Sequence, residues 1–120
     1  MAYNFKTEKE FQTRMIKDLK KNNPKAWIYK IPDVNMQIKP FDIICCLNGE
    51  ATGIELKICN LKKWVTYEQM YNMLRPNQIG ALDILQKAWW ASFISVYNKA
   101  DDHIYTSTFK FLEWDNQIEL

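Results

Sequence analysis

Glu55 and Lys57 stand two residues apart in the run from Thr52 to Cys59, which is otherwise nearly continuous in apolar and β-branched residues. That spacing places both on one face of a strand, with Ile54, Leu56 and Ile58 forming a wholly apolar opposite face. An ionised group in a central strand is costly to bury without a partner. Upstream, Asn48-Gly49 is a strong hairpin signal. A two-residue turn there pairs Leu47 with Glu50 and sets Asp42 directly across from Glu55. Facing carboxylates repel, so a cation is expected to join them. Oxygen-only ligands with room left for water suit Mg²⁺, which takes one or two carboxylates plus substrate phosphate. Lys57, one step along the same face, is placed to hold a phosphate or an attacking water.

The elements that must position these groups follow from periodicity. Thr7 to Lys21 reads as an amphipathic helix, with Phe11, Met15 and Leu19 on one stripe and a capping box formed by Thr7 and Glu10. Strands are expected over Ala26–Ile31, Phe41–Leu47, Thr52–Cys59, Trp90–Tyr97 and Ile104–Ser107. Leu61–Leu74, rich in aromatics and methionine, is expected to be partly helical, and Pro76 opens a helix running to about Ala88. The order α-β-β-β-α-β-β predicts an α/β (α+β) fold, one mixed sheet of about five strands flanked by helices.

A chain of 120 residues, 48% hydrophobic and 14% aromatic, is the size and composition of one packed domain spanning residues 1–120. No apolar run approaches the ~20 residues of a membrane span, and the first residues do not read as a signal peptide. Three cysteines, two of them adjacent, argue against a disulfide framework and for a reducing, cytoplasmic setting; Cys45, Cys46 and Cys59 lack zinc spacing and are expected in the core. Residues 1–63 carry a net charge of +5 and residues 64–120 a net of −3, an asymmetry that favours a polyanionic partner on one side.

Pro40-Phe41-Asp42, followed after twelve residues by Glu55-Leu56-Lys57, resembles the pattern of the PD-(D/E)XK nuclease superfamily. The upstream acidic cluster Glu8-Lys9-Glu10, the strand before Asp42 and the helix beginning Arg75-Pro76-Asn77-Gln78 extend the resemblance over residues 7–112. The layout is similar to small Holliday-junction resolvases of the recombination-protein-U-like and archaeal types, from phages or bacteria. The resemblance implies a restriction-endonuclease-like core and a metal-dependent endonuclease on DNA, with four-way junctions as substrate and a homodimer as the working form. It implies that Asp42, Glu55 and the backbone carbonyl of Leu56 bind Mg²⁺, with Mn²⁺ as a substitute, and that Lys57 positions or activates water. A glutamate early in the first helix completes such sites. Glu8 and Glu10 compete for that role, and Glu8 falls on the stripe facing the sheet, whereas Glu10 lies with Arg14, Lys17 and Lys21 on the polar face. Gln78 matches a helix glutamine near the site, and Asp33 is an accessory acid candidate. Lys62, Lys63 and Arg75 are candidates for contact with DNA phosphates. Trp64, Tyr67 and Tyr71, at roughly helical spacing, read as core or a dimer surface ahead of base stacking, and His103 reads as a turn residue. Two other readings remain at this stage: a nicking, restriction-like or other structure-specific nuclease on the same core, and a non-catalytic nucleic-acid-binding module.

Overall fold

The computed structural model describes residues 2–32, 39–47, 49–88 and 90–110. Helix α1 (Glu8–Asn22) starts where the Thr7 hydroxyl accepts the Glu10 N–H at 3.2 Å, satisfying one of the four orphan donors of a helix start. The reciprocal half of the expected capping box is shifted by one residue, because the Glu10 carboxylate accepts the Lys6 N–H instead, at 3.0 Å. Phe11 is fully buried, and Met15, Ile16 and Leu19 pack beside it.

Strands β1 (Trp27–Lys30), β2 (Ile43–Leu47), β3 (Glu50–Cys59), β4 (Ala91–Asn98) and β5 (His103–Thr108) form one sheet in the order β1-β2-β3-β4-β5. β3 and β4 are parallel and every other pair is antiparallel. A parallel pair needs a crossover, and here it carries α2 (Tyr67–Asn72) and α3 (Pro76–Lys87). The mixed sheet is the one expected from the sequence, and the order differs by one helix: the crossover holds α2, within the 61–74 segment expected to be partly helical, as well as the helix opened by Pro76. The β2–β3 register also matches, running from Leu47 opposite Glu50 to Ile43 opposite Ile54, with Gly49 at φ +79° where a side chain would be strained.

The sheet separates two apolar layers. Phe5, Phe11, Ile43, Ile54, Leu56 and Tyr97 fill the α1 side. Phe41, Leu74, Leu82, Ile94, Val96 and Phe109 fill the side covered by α2 and α3. Cys45 is buried and Cys59 half-buried, but Cys46 is exposed, against expectation. Adjacent strand residues face opposite sides. With Cys45 turned inward, Cys46 shares the outer face with Trp27, its exposed cross-strand partner. No helix among the described residues is long and apolar enough to cross a membrane.

Two packing details bear on the site. α3 lies directly on the β3 backbone at Gly53, where a Cβ would stand 2.5 Å from Leu85 Cδ1 and 3.1 Å from the Phe41 ring. Gly53→Ala is therefore expected to lower the unfolding free energy by about 1–3 kcal/mol, the cost of overpacking. Urea denaturation measures this, and an unchanged midpoint would mean that Leu85 swings aside at no cost. At the other end, the Asp102 carboxylate accepts the N–H groups of Tyr3 and Asn4 and the Tyr97 hydroxyl. This straps the segment before α1 to the β4–β5 turn, with Phe5 buried against Tyr97 and Phe11.

Candidate active site

β2 begins at Ile43, two residues later than its apolar pattern suggests, while β3 continues past that point to Cys59. Two local causes end the ladder. Pro40 has no N–H to donate. Asp42 donates its own N–H to the Ile54 carbonyl at 3.1 Å, and then its carboxylate Oδ2, rather than a backbone oxygen, accepts the Leu56 N–H at 2.8 Å. A residue's N–H and C=O point to the same strand edge, so the Leu56 carbonyl also faces the Asp42 side. From Glu55 onward β3 is paired only with β4 among the described residues, and its other edge forms an open ledge.

Glu55 and Lys57 occupy the α3 side of this ledge, beside Ile94 and Val96 of β4. Glu55 is 1% exposed. Its Oε2 accepts the Gln78 amide at 3.0 Å and pairs with Lys57 Nζ at 3.3 Å, while Oε1 is buried with no hydrogen-bond partner among the described residues. Burial first, and then the nearby Asp42 charge, push the Glu55 carboxyl up to about 8, with Lys57 pulling the other way. The carboxylates do not meet without counterions as the hairpin register alone suggests. Asp42, itself buried, directs Oδ1 to Lys39 Nζ at 2.8 Å.

The first turns of two helices close the ledge from opposite sides. Gln78, at the third position of α3, is buried, and its Oε1 accepts the Arg75 N–H at 2.9 Å, so one amide group both caps the helix and holds Glu55. Glu8 opens α1 and is half-buried, whereas Glu10 is exposed. Burial raises the Glu8 carboxyl above its usual range, Lys57 opposes this, and Asp42 adds to it; Lys39 and Arg75 act on it as well. Asp42, Glu55, Leu56, Lys57, Gln78 and Arg75 are thus brought to one ledge by direct contacts, and Glu8 lies near enough to feel the charges of Lys57 and Asp42.

Lys62 and Lys63 lie elsewhere, exposed on a cleft with Asp101, His103 and Tyr105. Asp33 falls outside the described residues. Trp64 precedes α2 and is 78% exposed, while Tyr67 and Tyr71 lie within it, so the three do not share a helix face. His103 is exposed in the β4–β5 hairpin, with Nδ1 against the Asp101 carbonyl.

Sequence reasoning missed Lys39. It lies three residues before Asp42, which is the only signal it left, and its ion pair depends on the chain turning at Pro40. Asn98 left none: fully buried, it accepts the Leu61 N–H at 2.8 Å and donates to the Leu61 carbonyl at 2.9 Å.

The donors on the ledge fit a hard divalent cation in their chemistry: two carboxylates, one of which has a buried oxygen without a partner among the described residues, and a backbone carbonyl on the same edge. Among the described residues no three His, Cys, Asp or Glu side chains are grouped so that they could hold a metal ion between them. The remaining ligands would come from water and substrate, the usual situation of Mg²⁺.

No protein-family model and no curated protein matches the chain. Among solved structures it is similar to Hjc, a Holliday junction resolvase from the archaeal hyperthermophile Archaeoglobus fulgidus, with a TM-score of 0.51 and 14% identity. The match covers 73% of this chain and 66% of that one. A likeness at that identity establishes the fold, a mixed five-stranded sheet flanked by helices.

Proposed function

We propose that this chain is a metal-dependent endonuclease of the PD-(D/E)XK type that hydrolyses DNA phosphodiester bonds, with four-way junctions as its substrate. The observation that carries the reading is Glu55 Oε1: a buried carboxylate oxygen without a partner, beside a second carboxylate and a lysine, on the one stretch of β3 that β2 leaves open. A purely structural Glu–Lys pair would have no need to leave that oxygen unsatisfied. When bound, Mg²⁺, or Mn²⁺ in its place, supplies positive charge to the scissile phosphate and lowers the pKa of a water.

The chain's own residues do the rest. Asp42 and Glu55 are the metal-holding carboxylates, joined by the Leu56 carbonyl. Gln78 fixes the Glu55 carboxylate through Oε2 and leaves Oε1 available. Lys57 orients the attacking water or a phosphate oxygen, and Glu8 completes the acidic surround from the α1 side. Arg75, at the lip of α3, receives a DNA phosphate without reading sequence. Cutting both strands of a junction takes two such sites, hence two copies of the chain.

The test uses purified protein, a labelled four-way junction and a linear duplex of matched length, each with EDTA and with millimolar Mg²⁺ or Mn²⁺. Metal-dependent cleavage of the junction, at least tenfold faster than of the duplex, is the expected result. Cleavage of both at one rate leaves a nuclease without junction preference. Binding without cleavage in either metal leaves a non-catalytic DNA-binding module.

A further inference from the structure

Trp64 is 78% exposed, more than any other large apolar side chain among the described residues. It is not loosely held. Asn98 grips both backbone groups of Leu61, at 2.8 and 2.9 Å, and so ties the stretch that follows β3 to the end of β4. On the far side the capping box of Thr66 and Gln69 fixes the start of α2. The indole also meets the Tyr105 ring edge-on, with centroids 6.1 Å apart and planes at 81°, and Tyr105 continues to His103 at 6.4 Å. Even with this contact, most of the indole surface stays open to solvent.

These rings, with Lys62, Lys63 and Asp101, line an open cleft of about 460 Å³, which none of the ledge residues lines. Lys62 and Lys63 are exposed. The carboxylate of Asp101 accepts the Tyr105 hydroxyl and the His103 N–H, which leaves two lysines against one engaged acid. The lysines attract phosphates, and the exposed indole offers a flat ring a surface to stack on. That is the arrangement a nucleobase needs when it is not stacked in a duplex. The cleft follows the strand that carries Glu55 and Lys57; Leu61 is four residues, roughly 13 Å, beyond Lys57 at strand spacing.

We propose that Trp64 is a stacking platform for an unpaired base, with Lys62 and Lys63 holding its flanking phosphates, so that the chain selects DNA in which a base is already out of the helix. This rests on the reading of the chain as a DNA-binding nuclease and specifies the feature of branched DNA that it recognises.

The test is done in EDTA, without cleavage, on the full chain. Binding is measured to a flush duplex and to the same duplex carrying one extrahelical base, for wild type, Trp64→Ala, Trp64→Phe and the double variant Lys62→Ala/Lys63→Ala. Trp64→Ala is expected to lose affinity for the bulged probe by about tenfold or more, the scale of base–aromatic stacking, and to keep flush-duplex affinity within twofold. Trp64→Phe should restore most of the loss. The double lysine variant should weaken both probes and reduce the salt slope by about one unit for each phosphate contact removed. The bulged probe should quench tryptophan emission of wild type and not of Trp64→Ala. Equal effects of Trp64→Ala on both probes, or none on either, would overturn the proposal. In the first case the cleft is a general phosphate surface, and in the second it is not on the DNA path. Both outcomes leave cleavage at the ledge intact, whereas a wild-type chain that binds neither probe yet binds a four-way junction overturns the unpaired-base proposal alone, and one that binds none of the three overturns the DNA-binding reading as well.

Discussion

Asp42→Asn, Glu55→Gln and Lys57→Ala are each expected to reduce Mg²⁺-dependent DNA cleavage by about a hundredfold or more, the scale of losing one group that stabilises transition-state charge. The three variants remove different things. Asn at 42 keeps an oxygen for the Leu56 N–H but loses the charge that a cation and Lys39 share. Gln at 55 keeps an acceptor for Gln78 and removes the ionisable oxygen pair. Ala at 57 leaves the ledge acidic but strips it of the ammonium 3.3 Å from Glu55. Folding is checked in parallel by melting curves, because all three positions are at least partly buried. More than a tenth of wild-type cleavage retained by Asp42→Asn would remove the metal site from this account. Glu8→Gln should impair cleavage far more than Glu10→Gln. The reverse ranking would mean that α1 presents a different face to the substrate than its burial indicates.

The second large effect needs no DNA. The Glu55 carboxyl stands at about 8 in the fold against an ordinary value of 4.5. The folded state therefore binds this proton more tightly than the unfolded chain does. Its contribution is fully present below about pH 4.5 and is lost as pH rises through about 8. Metal-free wild type should thus become less stable between pH 5 and 8.5, by an amount on the order of a few kcal/mol, with a slope of up to ~1.4 kcal/mol per pH unit. Glu8, also raised, adds to the trend in the same direction. Glu55→Gln should flatten most of the slope and be the more stable protein at pH 8.

Asp42→Asn should behave in the opposite way. The sequence alone suggests relief of repulsion on neutralising either acid, but Asp42 is already compensated by Lys39, and removing its charge weakens that buried ion pair. It is expected to destabilise by about 1–3 kcal/mol. Mg²⁺ should raise the melting temperature of wild type more at pH 8 than at pH 6, since it competes with the Glu55 proton and binds only the folded state. Urea titrations at four pH values, with EDTA or Mg²⁺, measure all of this. A flat profile for wild type would mean that Glu55 ionises freely and is not held as described.

The legible parts of this protein were those governed by short-range rules. Asn48-Gly49 set the β2–β3 register because a two-residue turn admits only one pairing. The alternation around Glu55 and Lys57 identified their shared face because strand period is fixed by the pleat. Phe11, Met15 and Leu19 marked the buried side of α1 for the same kind of reason. What escaped was decided by side chains competing with backbone. Asp42 reads as one more strand residue until its carboxylate takes the Leu56 N–H and ends the ladder. Lys39 reads as a loop lysine until the turn at Pro40 brings it back to Asp42. Trp64 reads as the first of three helix-spaced aromatics, yet Thr66, a better cap, starts α2 after it. Pattern and propensity carry no information on which of two adequate hydrogen-bond acceptors a buried N–H will choose.

The strap at Asp102 sets an order of events during synthesis. The carboxylate of Asp102 follows Tyr3 and Asn4 by 99 and 98 residues, so in N-to-C synthesis the groups it holds are made well before it. Until then the start of α1, and Glu8 with it, lacks its anchor to the β4–β5 turn, although Asp42, Glu55 and Lys57 have already been made. A nascent or prematurely terminated chain would carry most of the ledge residues but not the fixed first turn of α1. The β4–β5 hairpin, far from the ledge in sequence, is thus what ties down the segment leading into α1 and Glu8.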